Sequence, residues 1–423
     1  MSYSDWFRRL TSRGGTGRSR ARRSVLITGI AAALVLVAGI AVLVAGPGHA
    51  PLRTTSVAAS RQDNGTTSGS GRQATAAPKP KHTVQPAPAV EVTSVSPSSS
   101  AHSVNGTSPI TVGFSAPLAA GSPLPRVSPA TPGSWKVDGS TATFTPSVGF
   151  PEDTTVTLTV PGGSAGVRSA QGAKKGAGGY LTSGFSRSFT TASYSTLRLE
   201  QLLAQLGYLP LTWTPSGTPV PGSDTAAQIA AAYEPPSGSF GWESGYPSEL
   251  HSFWSEGSSN LIVTGAIRAF ESQHGLTMDG EAGPQVWADL LKDVAAGHHN
   301  ANGYTYALAS KHLPETLTIW HDGHQVMQTS ANTGIPAAPT ADGTFPVYEK
   351  LQFQIMKGTN PDGSKYSDPV YWISYFDGGD AVHYFNRGSY GWPQSLGCVE
   401  LPESSAKTAY NYLSYGSLVT VAG

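Results

Sequence analysis

Residues 383–402 read HYFNRGSYGWPQSLGCVELP and contain Cys398, the only cysteine in a chain of 423 residues. The chain is exported, for reasons given below, so this thiol has no intramolecular partner and calls for an explanation. A thiol attacks as thiolate and therefore needs a base and donors for the oxyanion it creates. His383 lies fifteen residues upstream, just after a β-like run over 370–382, and is the candidate base. Gly397 lets the backbone come close to a reacting carbonyl, and the main-chain amides around Gly397 and Cys398 are candidate oxyanion donors. Against this stands the plainer reading: a lone Cys is most often a small buried apolar residue, and a lone His a surface or core residue.

The surroundings read as a β-rich domain over 304–423. Runs at 316–320 and 325–329 flank His321-Asp322-Gly323-His324 and predict a hairpin turning at Asp322-Gly323. Strands are expected at 345–349, 351–356, 370–376 and 381–384, a helix at 404–413 and a closing strand at 417–421. A His, about a dozen residues with glycines (Gly388, Gly391), then Ser395-Leu396-Gly397-Cys398-Val399-Glu400-Leu401 resembles the signature of L,D-transpeptidases of the YkuD type. Pro339-Thr340-Ala341-Asp342-Gly343-Thr344-Phe345 resembles the PTPxGxF loop of the same family. Two positions depart from its pattern. Leu396 stands where a second His is usual, and Glu400 where Arg or Asn is usual.

Upstream, residues 194–296 change to helical periodicity. Leu197, Leu199, Leu202, Leu203 and Leu206 form an apolar face that stops at Gly207, and two further helices are expected at 263–274 and 284–291. Leu206-Gly207-Tyr208, Ala266, Ile267, Phe270, Gln273, Gly275, Leu276, Asp279, Gly280, Gly283 and Trp287 resemble a three-helix peptidoglycan-binding domain. An insert over 210–260 carries Trp213, Tyr233, Phe240, Trp242, Tyr246 and Trp254, rings that either stack on sugars or pack on their own domain. Residues 90–192 hold short alternating runs at 90–95, 110–114, 134–137, 141–145, 155–160 and 185–190, and read as a β-sandwich. SPITVGFSAPL and ATFTPSVGFPEDTTVTLTVPGG within it resemble bacterial Ig-like modules that precede transpeptidase domains in actinobacterial enzymes. The fold class expected is therefore multidomain: an Ig-like β-sandwich spacer, a small α-helical peptidoglycan-binding domain and a mostly-β YkuD-type catalytic domain.

The first ninety residues have no such patterns. Residues 25–45 are 21 residues without a charge, long enough to span ~30 Å of hydrocarbon. The seven arginines in the basic tail, residues 1–24, place that end in the cytoplasm by the positive-inside rule. The competing reading, a cleaved signal peptide, fits less well because the run is long and Pro47 and Pro51 crowd a cleavage site near Ala50. Residues 46–89 are rich in Ser, Thr, Ala, Gly and Pro and read as a disordered spacer. Net charge is zero overall, but without residues 1–23 it becomes 20 basic against 26 acidic residues. A folded part near −6 argues against nucleic acid as a partner. His298-His299 and His321 to His324 lack carboxylate or Cys partners at ligand spacing, so no metal is assigned, and no cofactor is expected.

The resemblance implies acyl transfer on peptidoglycan. Cys398 attacks the carbonyl of the third residue of a tetrapeptide stem and expels the terminal D-Ala. An amine on a neighbouring stem then takes the thioester, giving a 3→3 cross-link. His383 acts as proton acceptor and donor, the main-chain carbonyl of Tyr384 orients its imidazole, and Ser395 steadies the loop. Tyr366 and Trp372 are candidate walls of the substrate groove, although core packing suits Trp372 better. Glu400 is expected to recruit the incoming ammonium. The partners expected are stem peptides, glycan and the membrane through one N-terminal helix, with the catalytic domain outside the cell membrane. Hydrolysis of the thioester, making an L,D-carboxypeptidase, and a wall-binding scaffold weakened by Leu396 and Glu400 are the alternatives.

Overall fold

A computed structural model of the protein describes residues 87–173 and 179–423. The basic tail, the expected transmembrane helix and nearly all of the expected spacer lie outside the described residues. Among the described residues no helix is long and apolar enough to cross a membrane.

Residues 92–190 form two antiparallel sheets. β1 (Val92–Ser96), β2 (Ile110–Phe114), β4 (Gly133–Asp138) and β5 (Thr141–Pro146) pair in the order β1-β2-β5-β4. β3 (Arg126–Ser128), β6 (Thr155–Val160) and β7 (Phe185–Thr190) pair as β3-β6-β7. Alternation explains the sandwich: Ile110, Val112, Phe114, Ala142, Phe144, Val156, Leu158 and Val160 point inward and are fully buried or nearly so. β3 is the strand that sequence reading missed. Three residues carry too little alternation to register.

The helical stretch follows: α1 (Thr196–Gln205), α2 (Thr225–Tyr233), α3 (Leu261–His274) and α4 (Pro284–Ala296). The expected insert is itself folded. It holds α2 and a two-stranded hairpin, β8 (Leu211–Pro215) with β9 (Gly238–Trp242). Its rings pack inward. Phe240 lies tilted against Trp213 and edge-on to Trp254, all three pack against the helical core, and Tyr246 Oη donates to the Tyr304 carbonyl at 2.9 Å. Tyr233 Oη donates to the Phe150 carbonyl of the sandwich at 2.9 Å. The residues that carried the helical motif are core and turn: Ala266, Ile267, Phe270 and Trp287 are buried, and Asp279 Oδ1 accepts from the Glu281 amide at 2.9 Å.

Residues 305–422 contain two further sheets. β10 (Thr305–Ser310), β11 (Thr316–His321), β12 (His324–Ser330), β13 (Gly343–Pro346) and β18 (Leu418–Ala422) pair as β12-β11-β10-β18-β13. β14 (Glu349–Thr359), β15 (Lys365–Asp377), β16 (Asp380–Tyr384) and β17 (Val399–Leu401) form the second, β14-β15-β16-β17. The expected hairpin turn at Asp322-Gly323 is present between β11 and β12, and α5 (Glu403–Tyr412) is the expected helix. The core between the sheets is made of Ala307, Ile319, Phe376, Val382, Val399, Leu401 and Val419, with Ala406 and Ala409 of α5. Burying ten or more such side chains at about 25 cal/mol per Å² is what holds the two sheets together.

The helical stretch and the last sheets share a core, which the expected modular boundary at 296–304 did not foresee. Tyr304, Tyr306 and Leu418 are buried among the helical residues. At the seam, α3 meets the loop before β18 backbone to backbone. A Cβ on Gly265 would lie 2.5 Å from the Gly416 carbonyl oxygen, and one on Gly416 2.1 Å from that of Gly265. Only glycine on both sides permits the approach.

Candidate active site

β16 and β17 run parallel, with Val382 opposite Val399 and His383 opposite Glu400. Alternation then places Ala381, His383, Cys398 and Glu400 on one face of the sheet. Val382, Tyr384, Val399 and Leu401 take the other face, against the core and α5. Cys398, one residue before β17, packs against the small cluster of Val370, Ile373, Tyr375 and Ala381, as do Tyr348 and Met356. His383 and Cys398 are thus diagonal neighbours across adjacent strands, with Cα atoms about 7–8 Å apart in such an arrangement.

His383 is buried, at 3% exposure, and its Nδ1 lies 3.0 Å from the Tyr384 carbonyl oxygen. A carbonyl only accepts, so Nδ1 carries the proton and Nε2 keeps the lone pair. Burial lowers the imidazole pKa most strongly; the bond to Tyr384 and the charge of Glu400 oppose that shift, and Arg387 adds to it. The Cys398 thiol is pushed up to about 12, first by burial, with the Ala381 amide pulling it down and Asp380 and Glu400 pushing it up. The resting pair is therefore neutral thiol and neutral imidazole. A proton must move as the sulfur attacks.

The loop before Cys398 is held from several sides. Ser395 Oγ donates to the Cys398 carbonyl at 2.6 Å and accepts from the Gly397 amide at 3.2 Å. The Gly397 amide is thereby committed to Ser395, so of the two expected oxyanion donors it is the Cys398 amide that remains. Gly397 has φ +124°, and a Cβ there would fall 2.3 Å from Asp380 Oδ1. The segment after β12 zips onto the loop: Gln394 and Ser395 amides donate to the Thr333 carbonyl, and Asn332 and Glu400 exchange backbone hydrogen bonds. Thr333 is fixed in turn by Glu315, whose carboxylate accepts from its amide at 2.6 Å and its hydroxyl at 2.8 Å. The PTPxGxF-like loop is structural here, with Thr340 Oγ1 accepting from the Gly334 amide at 2.9 Å.

The remaining expected site residues divide. Glu400 is 4% exposed, and Arg387 grips its carboxylate with both nitrogens, Nε at 2.8 Å and Nη2 at 2.7 Å. That ion pair occupies the group that sequence reading offered to the incoming ammonium. Trp372 sits at a register shift in β15 with φ +59° and turns to the opposite face, edge-on to Tyr410 of α5. It packs there and does not wall the groove. Tyr366, by strand parity, is on the thiol face, half-buried. Tyr384 contributes its carbonyl, while its ring packs on the core side. Leu396 is exposed beside the thiol. Sequence reasoning missed Arg387, Asp380, Tyr348 and Tyr375; the last two are tyrosines in apolar runs, and only the register of β15 brings them to the sulfur.

Residues 305–421 match the family model for the L,D-transpeptidase catalytic domain, and residues 86–191 that for the bacterial Ig-like domain. No curated protein matches the chain. Among solved structures, an L,D-transpeptidase from Mycobacterium smegmatis is 17% identical, covering 79% of this chain and 99% of its own, with a TM-score of 0.27. L,D-transpeptidase 3 from Mycobacterium tuberculosis is 16% identical over 78% of this chain and 98% of its own, TM-score 0.26. The catalytic domain of the E. faecium L,D-transpeptidase is 29% identical over 28% of this chain and 95% of its own, TM-score 0.26. At such TM-scores the superpositions carry no weight, and the family models bear the assignment.

Proposed function

With an L,D-transpeptidase catalytic domain at residues 305–421, the chain is an acyltransferase of peptidoglycan with a cysteine nucleophile, and we propose that Cys398 is that nucleophile and His383 its base. The observation that carries this is the pairing of β16 with β17. It sets the sole thiol diagonally across from an imidazole whose Nδ1–H is fixed on the Tyr384 carbonyl.

The reaction is two acyl transfers. Cys398 Sγ adds to the carbonyl of the third stem residue while its proton passes to His383 Nε2. The Cys398 amide donates to the oxyanion. Collapse breaks the peptide bond, His383 returns the proton to the leaving D-Ala amine, and a thioester remains. A side-chain amine of a neighbouring stem then attacks, His383 accepts its proton, and the thiol leaves as the 3→3 link forms. Water in place of the amine gives hydrolysis, and so an L,D-carboxypeptidase. Further proposals follow from the rest of the chain. Residues 25–45 anchor the protein in the membrane, residues 194–296 hold the wall, and the sandwich spaces the two, so that catalysis occurs outside the cell membrane. The apolar run supports the first and the motif residues the second.

The deciding experiment is intact-mass analysis with a tetrapeptide stem and, separately, a carbapenem. Adducts on the wild type but not on Cys398→Ala, with released D-Ala and a dimeric muropeptide, are the expected result. A folded wild-type protein that forms no adduct with either reagent would falsify the assignment.

A further inference from the structure

A groove of about 580 Å³ runs between the helical stretch and the catalytic sheets, lined by Arg268, Met278, Pro346, Tyr348, Phe376 and Gly378. Its catalytic wall is the back of the thiol's own support. Tyr348 Oη donates to the Gly378 carbonyl, and the next carbonyl, that of Gly379, lies 3.8 Å from Cys398 Sγ. Its other wall comes from α3 and the loop after it. Arg268 is the one cation among the six lining residues, and it makes no hydrogen bond or ion pair among the described residues. Its Nε is buried without a partner, an expensive state for an N–H of a charged group. The nearby carboxylate attracts the guanidinium but makes no hydrogen bond to it: Glu271 accepts from the Gly280 amide at 2.9 Å, and its pKa is raised to about 7, first by burial, with the Arg268 charge pulling weakly the other way. Gly280 is what admits the arginine, since a Cβ there would lie 3.0 Å from Nε.

We propose that this groove is a peptide subsite in which Arg268 binds the terminal carboxylate of a stem peptide. The inference rests on the reading of Cys398 as the acylated nucleophile. Three features fit that ligand. The guanidinium fork matches a carboxylate bidentately. Met278 and Pro346 offer apolar surface to a short side chain beside it, with the buried Phe376 as the floor behind them. Tyr348 and Gly378 connect the groove to the turn that touches the sulfur. The helical stretch thus supplies a substrate-binding residue to the catalytic domain, a role that its turn and core motif residues do not show. A stem carboxylate can arrive on the donor, carrying the D-Ala to be expelled, or on the acceptor. The chemistry recognised is the same.

The test separates binding from chemistry. Cys398→Ala protein, which cannot be acylated, is titrated with a tetrapeptide stem ending in a free carboxylate and with the same peptide as its carboxamide. The acid is expected to bind roughly ten- to hundredfold more tightly, the range for a hydrogen bond to a charged group. Adding Arg268→Gln should abolish that preference, Arg268→Lys should restore part of it, and Met278→Glu, at a partly exposed position, should weaken the acid alone. In the wild type, the acid-to-amide ratio in the acylation rate marks a donor site, and the ratio in aminolysis of the preformed thioester marks an acceptor site. Equal binding of acid and amide, or a preference that survives Arg268→Gln in a protein with unchanged melting temperature, overturns the proposal. Failure of the wild type to acylate, with the binding preference intact, overturns the nucleophile assignment instead.

Discussion

Two carboxylates flank Cys398, and they live differently. Glu400 sits opposite His383 in the sheet, nearly inaccessible, with the Arg387 fork on both of its oxygens. Asp380 begins β16 and leans over Gly397, and its carboxylate has no hydrogen-bond or ion-pair partner among the described residues. Its pKa is raised to about 6, by burial first and then by the charge of Asp377. Both carboxylates push the thiol pKa up, yet only one is neutralised by a cation. The paired charge is held within the scaffold, whereas the unpaired one acts on the thiol with no cation to offset it.

The contrast is broken most severely on the paired side. Arg387→Met leaves the Glu400 carboxylate buried and alone, and should destabilise the protein by about 3–5 kcal/mol, read from denaturant unfolding. Glu400→Gln with Arg387 retained should cost much less. Equal losses from the two would mean that the pair is not the organising contact. Next in size is Gly397→Ala, where a disfavoured φ and the clash with Asp380 add up to roughly 1–3 kcal/mol. Asp380→Ala in the same chain removes the obstructing carboxylate and should recover part of that loss. Strict additivity in this double-mutant cycle would deny the contact.

The smallest effect falls on reactivity. The thiol pKa is near 12, so the iodoacetamide alkylation rate of Cys398 should climb about tenfold per pH unit between 7 and 10, without the plateau of a thiolate–imidazolium pair. Asp380→Asn removes a negative charge that is present only above its own pKa, near 6. Alkylation at pH 8 should therefore quicken by roughly three- to tenfold, half to one pK unit, and the two proteins should converge below about pH 5, where Asp380 is neutral in both. The sign also bears on stability. A carboxyl whose folded pKa is raised disfavours the folded state as pH rises from its unfolded pKa, near 4, to about 6, so Asp380→Asn should raise the melting temperature at pH 8 and leave it unchanged at pH 3.

The sequence made the nucleophile and its base legible because each is a rare residue at a telling separation, and because local runs announced the strands on either side. The Gly397 turn was legible for a similar reason. Parity was not. Whether Trp372 faces the thiol or α5 depends on a register shift at that residue, and a one-residue slip exchanges faces. Glu400 was read as a free carboxylate because its partner, Arg387, lies thirteen residues earlier and is brought back only by the loop between β16 and β17. The rings of the insert over 210–260 left stacking on sugars and packing on their own domain both open; they pack inward, and the insert's strands pair with each other. Aromatic content records how much apolar area is present. It does not record which way that area turns.

The backbones of Gly265 and Gly416 abut, so that at this seam the helical stretch and the catalytic sheets meet with no side chain between them. If residues 194–296 hold the wall as proposed, the distance from the gripped strand to the sulfur is a constant of the molecule, like the jaw setting of a caliper. In that case spacing, ahead of chemistry, would decide which stems come within reach of the sulfur.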